Sequence, residues 1–147
     1  MELLNSNIIG EGEKNLLILH GFLGMGDNWR THGKNLAEKG YCVHLIDQRN
    51  HGKSFWSEDF NYKLMVEDLK FYMDHHQIST TILLGHSMGG KTAMNFALRY
   101  SQLVEKLIIV DISPRYYPPH HENILAALMS LDFQVIRSRK RAEEQLS

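Results

Sequence analysis

Gly85-His86-Ser87-Met88-Gly89-Gly90 decides how this chain is read. Before it lies a short apolar run, Thr80 to Leu84. After it, Met88 to Tyr100 carries Ala93, Met94, Ala97 and Leu98 at helical spacing. A serine on a tight strand-to-helix turn is forced into a strained backbone, so its hydroxyl stands clear above the sheet. The flanking glycines are needed because side chains would clash there. The helix N-terminus adds partial positive charge and N–H groups that favour a developing oxyanion. The string Gly-x-Ser-x-Gly alone arises by chance in about 5% of chains this long. The strand before it and the helix after it raise it above a glycine-rich turn with a bystander serine.

Three more runs share the character of Thr80 to Leu84. Leu16 to Leu19 ends in His20-Gly21, Tyr41 to Ile46 ends in Asp47, and Leu107 to Val110 ends in Asp111. Short runs rich in Leu, Ile and Val read as strands buried on both faces, as in a parallel sheet. Met1 to Ile9 adds one or two edge strands before a turn at Gly10 to Glu13. Helical patterns fill the gaps: Asn28 to Lys39 with Trp29, Leu36 and Ala37, and Tyr62 to His76 with Leu64, Met65, Leu69, Tyr72 and Met73. This alternation predicts a doubly wound, mostly parallel α/β sheet with right-handed crossovers. The proline-rich stretch Ser113-Pro114 to Pro118-Pro119 breaks the pattern. Beyond it, Glu122 to Leu131 and Phe133 to Leu146 predict two helices, the second carrying Arg137, Arg139, Lys140 and Arg141. The chain therefore divides into a core, 1–119, and a helical segment, 120–147.

Composition removes several classes of function. The 147 residues carry a net charge of −1, with a pI of about 6.7, and no basic face for nucleic acid is expected. A single cysteine, Cys42, excludes an internal disulfide framework and a cysteine-based zinc site. The nine histidines raise the question of metal, but His75-His76 and His120-His121 are adjacent pairs, not ligands one helical turn apart. No metal is expected. His32, His51, His75 and His76 read as solvent-facing or turn residues, and Cys42 as an inert core thiol. No segment reaches the roughly 18 apolar residues of a membrane span. Met1-Glu2-Leu3-Leu4-Asn5 lacks the basic-then-apolar order of a signal peptide, so the cytoplasm is the expected compartment.

If Ser87 is a nucleophile, its tetrahedral intermediate needs two N–H donors. Met88, the residue after it, supplies one. His20-Gly21-Phe22-Leu23-Gly24, after the first buried strand, places Phe22 to supply the other. Gly21 is expected to provide the φ on which this loop depends, and His86 to point to the sheet side of the elbow. A competing reading is a nucleotide-binding domain of the Rossmann kind, with Gly21, Gly24 and Gly26 as its loop and Asp47 at the end of the next strand. Its spacing is not G-x-G-x-x-G, and it leaves Gly85 to Gly90 unexplained. Asp47-Gln48-Arg49-Asn50-His51-Gly52-Lys53-Ser54 reads as structure. Asn50 and Gly52 can take positive φ, and Asp47 and Arg49 can bond loop backbone and stiffen it beside the serine.

Taken in order, His20 to Gly24, Asp47 to Ser54 and Gly85 to Lys91 resemble the α/β-hydrolase superfamily. The Arg49-Asn50-His51-Gly52 loop and the Gly85-to-Lys91 elbow look like small bacterial carboxylesterases similar to YbfF and their ABHD11-like eukaryotic relatives. The resemblance covers about residues 1 to 135. It implies a serine hydrolase acting on carboxylic esters or thioesters, without a cofactor, with a small-molecule ester as its partner. Serine at the elbow, rather than aspartate, argues against a dehalogenase or epoxide hydrolase. The implied triad order is nucleophile, acid, histidine. Ser87 matches the nucleophile. Asp111 matches an acid position used by some members, with a loop-capping role as the alternative. Nothing matches the histidine, which in the family follows a later strand. The resemblance thus implies the N-terminal part of a hydrolase that ends within a helical lid. An inactive or partial chain is expected, with self-association or a missing C-terminal segment.

Overall fold

Leu17, Ile18 and Leu19 are at most 1% exposed, as are Val43, Leu45 and Ile46. Side chains alternate along a strand, so a run buried at every position must be covered on both faces. The computed structural model describes residues 2–116 and, beyond them, only 125, 126, 129, 130, 138, 140, 141 and 144. The helices expected over 122–131 and 133–146, and His120 and His121, lie largely or wholly outside the described residues. The chain divides into two units, Met1–Pro114 and Arg115–Ser147.

The first unit is built from β1 (Ser6–Ile9), β2 (Lys14–Leu19), α1 (Arg30–Ala37), β3 (Tyr41–Ile46), α2 (Tyr62–His75), β4 (Thr81–His86), α3 (Met88–Arg99) and β5 (Val104–Val110). A 3-10 turn over Gly26–Trp29 leads into α1. The sheet order is β1-β3-β2-β4-β5. β1 is antiparallel to β3, and the other pairs are parallel.

The order reverses at β2. The chain leaves it through α1 to β3 on one side and returns through α2 to β4 on the other. With right-handed crossovers, α1 falls on one face and α2 and α3 on the opposite one. The core divides accordingly. Leu16, Ile18, Val43, Leu45 and Leu84 pack with Trp29, Leu36 and Ala37. Leu17, Leu19, Ile46 and Leu83 pack with Val66, Leu69, Tyr72 and Met73 of α2 and Ala93 and Phe96 of α3. At the outer strand the cover ends, and Leu107 and Ile108 of β5 are each 40% exposed.

In doubly wound sheets, ligands bind beyond the C-terminal ends of the strands, where the order reverses. Here that crevice lies between β2 and β4. Residues 20–25 follow β2, and Ser87 follows β4.

Candidate active site

Ser87 is the one residue between β4 and α3, and it turns the chain with φ 49° and ψ −112°. Among the described residues, four of the five non-glycine positions with positive φ are Leu23, Asn50, Ser87 and Asp111. One stands in each loop that follows a parallel strand. Such conformations cost about 1–3 kcal/mol each and persist only where the surroundings enforce them.

At the elbow the enforcement comes from backbone. The Ser87 N–H donates to the Val110 carbonyl at 3.0 Å, and the Gly89 N–H donates to the His20 carbonyl at 3.1 Å. A Cβ on Gly85 would lie 2.3 Å from the Gly89 oxygen, and one on Gly89 would lie 2.3 Å from the Leu19 oxygen. Only hydrogen fits between β4, β2 and the first turn of α3. Met88 begins α3, where no intrahelical acceptor precedes its N–H.

The loop after β2 rests against this elbow. A Cβ on Gly21 would lie 2.8 Å from His86 Nδ1 and 3.4 Å from Ser87 Cβ. A side chain at Gly21 would therefore have to displace the His86 ring. The positive φ of this loop falls on Leu23, at 60°. The turn closes with the Gly24 N–H on the Gly21 carbonyl at 3.0 Å.

The loop after β3 ties the other two together. Buried Asp47 accepts from the N–H of Gly26 at 2.7 Å, from the N–H of Lys53 at 3.0 Å and from Asn5 Nδ2 at 2.8 Å. Gln48 donates its N–H to His20 Nε2 at 3.0 Å and its side-chain amide to the His20 carbonyl at 2.7 Å. Arg49 makes a two-point ion pair with Asp68 of α2, at 2.5 and 2.8 Å, and donates to the Asp59 carbonyl. Asn50, at φ 62°, exchanges two bonds with the Ser57 backbone. The stiffening role read from the sequence for Asp47 and Arg49 is what these bonds describe.

The nucleotide-binding alternative fails on the same bonds. All the Asp47 contacts above are internal, so its carboxylate is not offered to a ribose. Gly26 packs against the Leu45 carbonyl, where a Cβ would sit at 2.6 Å. Phe22 and Leu23 stand where a pyrophosphate would need close backbone approach.

Two histidines, His51 and His86, lie differently from the sequence reading, and His20 is deeply buried in the loop where it was expected. His51 is 7% exposed, not solvent-facing. Its Nε2 accepts the Leu23 N–H at 3.2 Å, and its Nδ1 lies 2.9 Å from the Arg49 carbonyl. His20 is 1% exposed, and burial lowers its pKa. His86 points into a cavity of about 380 Å³ that is also lined by Phe22, Trp29 and His32. The resemblance left Asp111 either as a triad acid or as a residue capping the loop. The structure places its carboxylate, 84% exposed, with Oδ2 3.7 Å from His86 Nε2. No described residue hydrogen-bonds the Ser87 hydroxyl. Among the described residues no group of three His, Cys, Asp or Glu is arranged to hold a metal, and no helix is long and apolar enough to cross a membrane.

Known proteins share this arrangement. The family model for the alpha/beta hydrolase fold matches residues 14–140. The chain is 38% identical over 146 residues to a zebrafish (Danio rerio) protein named "sn-1-specific diacylglycerol lipase ABHD11", covering 93% of this chain and 46% of that one. It is 38% identical over 147 residues to a Saccharomyces cerevisiae protein named "Probable alcohol acetyltransferase", covering 94% of this chain and 43% of that one. Among solved structures, one titled "Marine microorganism esterase" superposes with a TM-score of 0.93 at 41% identity, covering 98% of this chain and 57% of that one. The chain spans about half the length of the relatives it matches.

Proposed function

The chain belongs to the α/β-hydrolase fold family, and we propose that it carries the nucleophile and the oxyanion site of a serine esterase. The observation that carries this reading is Ser87, held at φ 49° between β4 and the first turn of α3. There its side chain stands at the strand ends and at the positive end of a helix.

In the proposed reaction Ser87 Oγ adds to the carbonyl carbon of an ester while a general base takes its proton. The carbonyl oxygen becomes an oxyanion, held by the N–H groups of Met88 and Phe22. Collapse of this intermediate expels the alcohol, which takes up the proton, and leaves an acyl group on Ser87. Water then adds to the acyl carbon, releasing the acid and restoring the serine. We assign the acid of the triad to Asp111 and place the histidine that it orients outside residues 2–116. The zebrafish relative's name points to acyl-glycerol esters, and the yeast relative's name to the same acyl-enzyme passing its acyl group to an alcohol instead of water. Carboxylic esters with a carbon chain on the acyl side are the proposed substrate class.

A fluorophosphonate probe tests the assignment, because it phosphonylates an activated serine. The full-length protein, with its histidine, should be labelled, and Ser87→Ala should abolish both labelling and ester hydrolysis, with a loss of about 10⁴–10⁶ in kcat. Labelling that survives in Ser87→Ala overturns the reading.

A further inference from the structure

The loop proposed to hold the oxyanion contains no regular secondary structure, yet its backbone is fixed. Leu23 adopts φ 60°, a conformation that a branched aliphatic residue leaves unless something holds it. The Gly24 bond closes the turn from inside. The Leu23 N–H points away from that turn and meets His51 Nε2, in the loop after β3.

We propose that His51 is a positioning residue for the oxyanion loop, its neutral ring accepting the Leu23 N–H and so fixing the peptide next to the Phe22 donor. This rests on the oxyanion role given to Phe22 above. The ring's two ends settle its protonation. The Arg49 carbonyl, 2.9 Å from Nδ1, can only accept, so Nδ1 carries the hydrogen. Nε2 is then a lone pair, which is what the Leu23 N–H requires. The ring cannot swing away, because His20, Phe22 and Phe60 pack around it at centroid distances of 5.0, 5.9 and 6.1 Å. Arg49 is itself anchored to α2 through Asp68. A continuous set of bonds therefore runs from a buried carboxylate in the core, through Arg49 and His51, to the peptide between Phe22 and Leu23. That peptide and the Gly21 carbonyl, which the Gly24 N–H holds, flank Phe22 on both sides.

A residue that acts this way alters how well the transition state is bound and leaves substrate binding nearly alone. Misplacing a donor by about 1 Å costs about 10²-fold in rate. In the full-length protein His51→Leu should slow fluorophosphonate labelling of Ser87, and kcat on a p-nitrophenyl ester, by about 10- to 100-fold. KM should stay within about threefold, since the interaction lost is one made in the transition state. His51→Gln puts an amide oxygen where Nε2 was and should recover most of the rate. Wild-type rates in His51→Leu, or a His51→Gln as slow as the leucine variant, overturn the proposal. Should His51→Leu fail to fold, the wild-type protein still decides it. Imidazole ¹⁵N shifts should report the Nδ1–H tautomer at neutral pH, and the Leu23 amide should exchange slowly. An Nε2–H tautomer or an unprotected Leu23 amide overturns it. Persistent labelling in Ser87→Ala would instead remove the nucleophile assignment, while the tautomer and exchange results still stand for His51.

Discussion

His20 and His51 stand at the C-terminal edge of the strands, and His44 stands in the middle of β3; all three are buried, and the fold uses them differently. At the edge each ring serves backbone. His20 accepts the Gln48 N–H, and His51 accepts the Leu23 N–H. These peptides lie outside any ladder or helix, and a buried N–H without a partner is costly. On the sheet face the backbone of His44 is already paired with its neighbouring strands. Its ring therefore meets side chains only: the Tyr72 hydroxyl at 2.7 Å, Asn15 Oδ1 at 3.2 Å and Cys42 Sγ at 3.6 Å. Tyr72 passes the contact on to Ser6 Oγ at 2.6 Å. Edge histidines give irregular chain its shape; the face histidine fills a packed layer and must stay neutral to do so.

If that difference is real, the edge should fail when backbone moves and the face should fail when charge enters. Among changes that leave Ser87 in place, the largest effect is expected from Gly85→Ala. The added Cβ would meet the Gly89 carbonyl oxygen at 2.3 Å and the Gly90 Cα at 2.7 Å, and neither can step aside without moving the first turn of α3. That turn carries the proposed Met88 donor and sets the direction of Ser87. Fluorophosphonate labelling of Ser87 should fall by at least about 10²–10³-fold, the loss expected when an oxyanion donor is removed. Labelling near the wild-type rate would show that the elbow tolerates what its geometry forbids.

The face should respond to pH. Burial, helped by nearby His76, pushes the His44 pKa down from 6.5 to about 4. The unfolded chain therefore binds a proton between about pH 6.5 and 4 that the folded chain refuses. Stability is fully present above pH 6.5, falls as pH drops through that window, and levels off below about 4. The total loss is about 3 kcal/mol. Urea unfolding from pH 7.5 to 4 measures it, and His44→Leu should flatten the His44 share of the slope. Equal slopes in the two proteins would mean that the charged ring finds a home in the folded state. His20, also held below its usual pKa by burial, adds a contribution of the same sign from the edge.

The sequence carried the inner strands well, because strands covered on both faces leave runs such as Leu16 to Leu19, whereas Leu107 to Val110, read the same way, has Leu107 and Ile108 each 40% exposed. It carried the elbow too, since Gly85 and Gly89 are glycines for want of space. It misjudged the loops in a consistent way. Gly21 was expected to supply an unusual φ, yet that φ belongs to Leu23, a residue type that gives no such signal. His51, read as a solvent-facing or turn residue, does stand in a turn, but its burial depends on Phe22 and Phe60, which come from different loops and approach only in the folded chain. His86 was expected on the sheet side, but it lines the cavity beside Trp29, at 6.0 Å between ring centroids, and faces Asp111. His44 drew no attention at all, being one polar residue within an apolar strand. Strand burial is written in consecutive residues. Loop shape is written largely in bonds between segments distant in sequence, and periodicity does not see those.

The smallest effect sharpens the comparison most. Phe22 is proposed to give its N–H to the oxyanion, and the residue is 37% exposed. If the loop's shape resides in backbone bonds, to His51 and within the turn, then the side chain is nearly dispensable. Phe22→Ala keeps the N–H and removes one edge-on ring contact with His51. Such contacts are worth about 0.5–1.5 kcal/mol, or about 2- to 10-fold in rate if all of it is felt in the transition state. Phe22→Ala should therefore lose no more than about tenfold in labelling rate, well short of Gly85→Ala and no worse than His51→Leu. A loss of 10²-fold or more would mean that the phenyl ring, packed on His51, orders the loop. Leu23 would then owe its φ to side-chain packing, and the edge would be built on the same terms as the face.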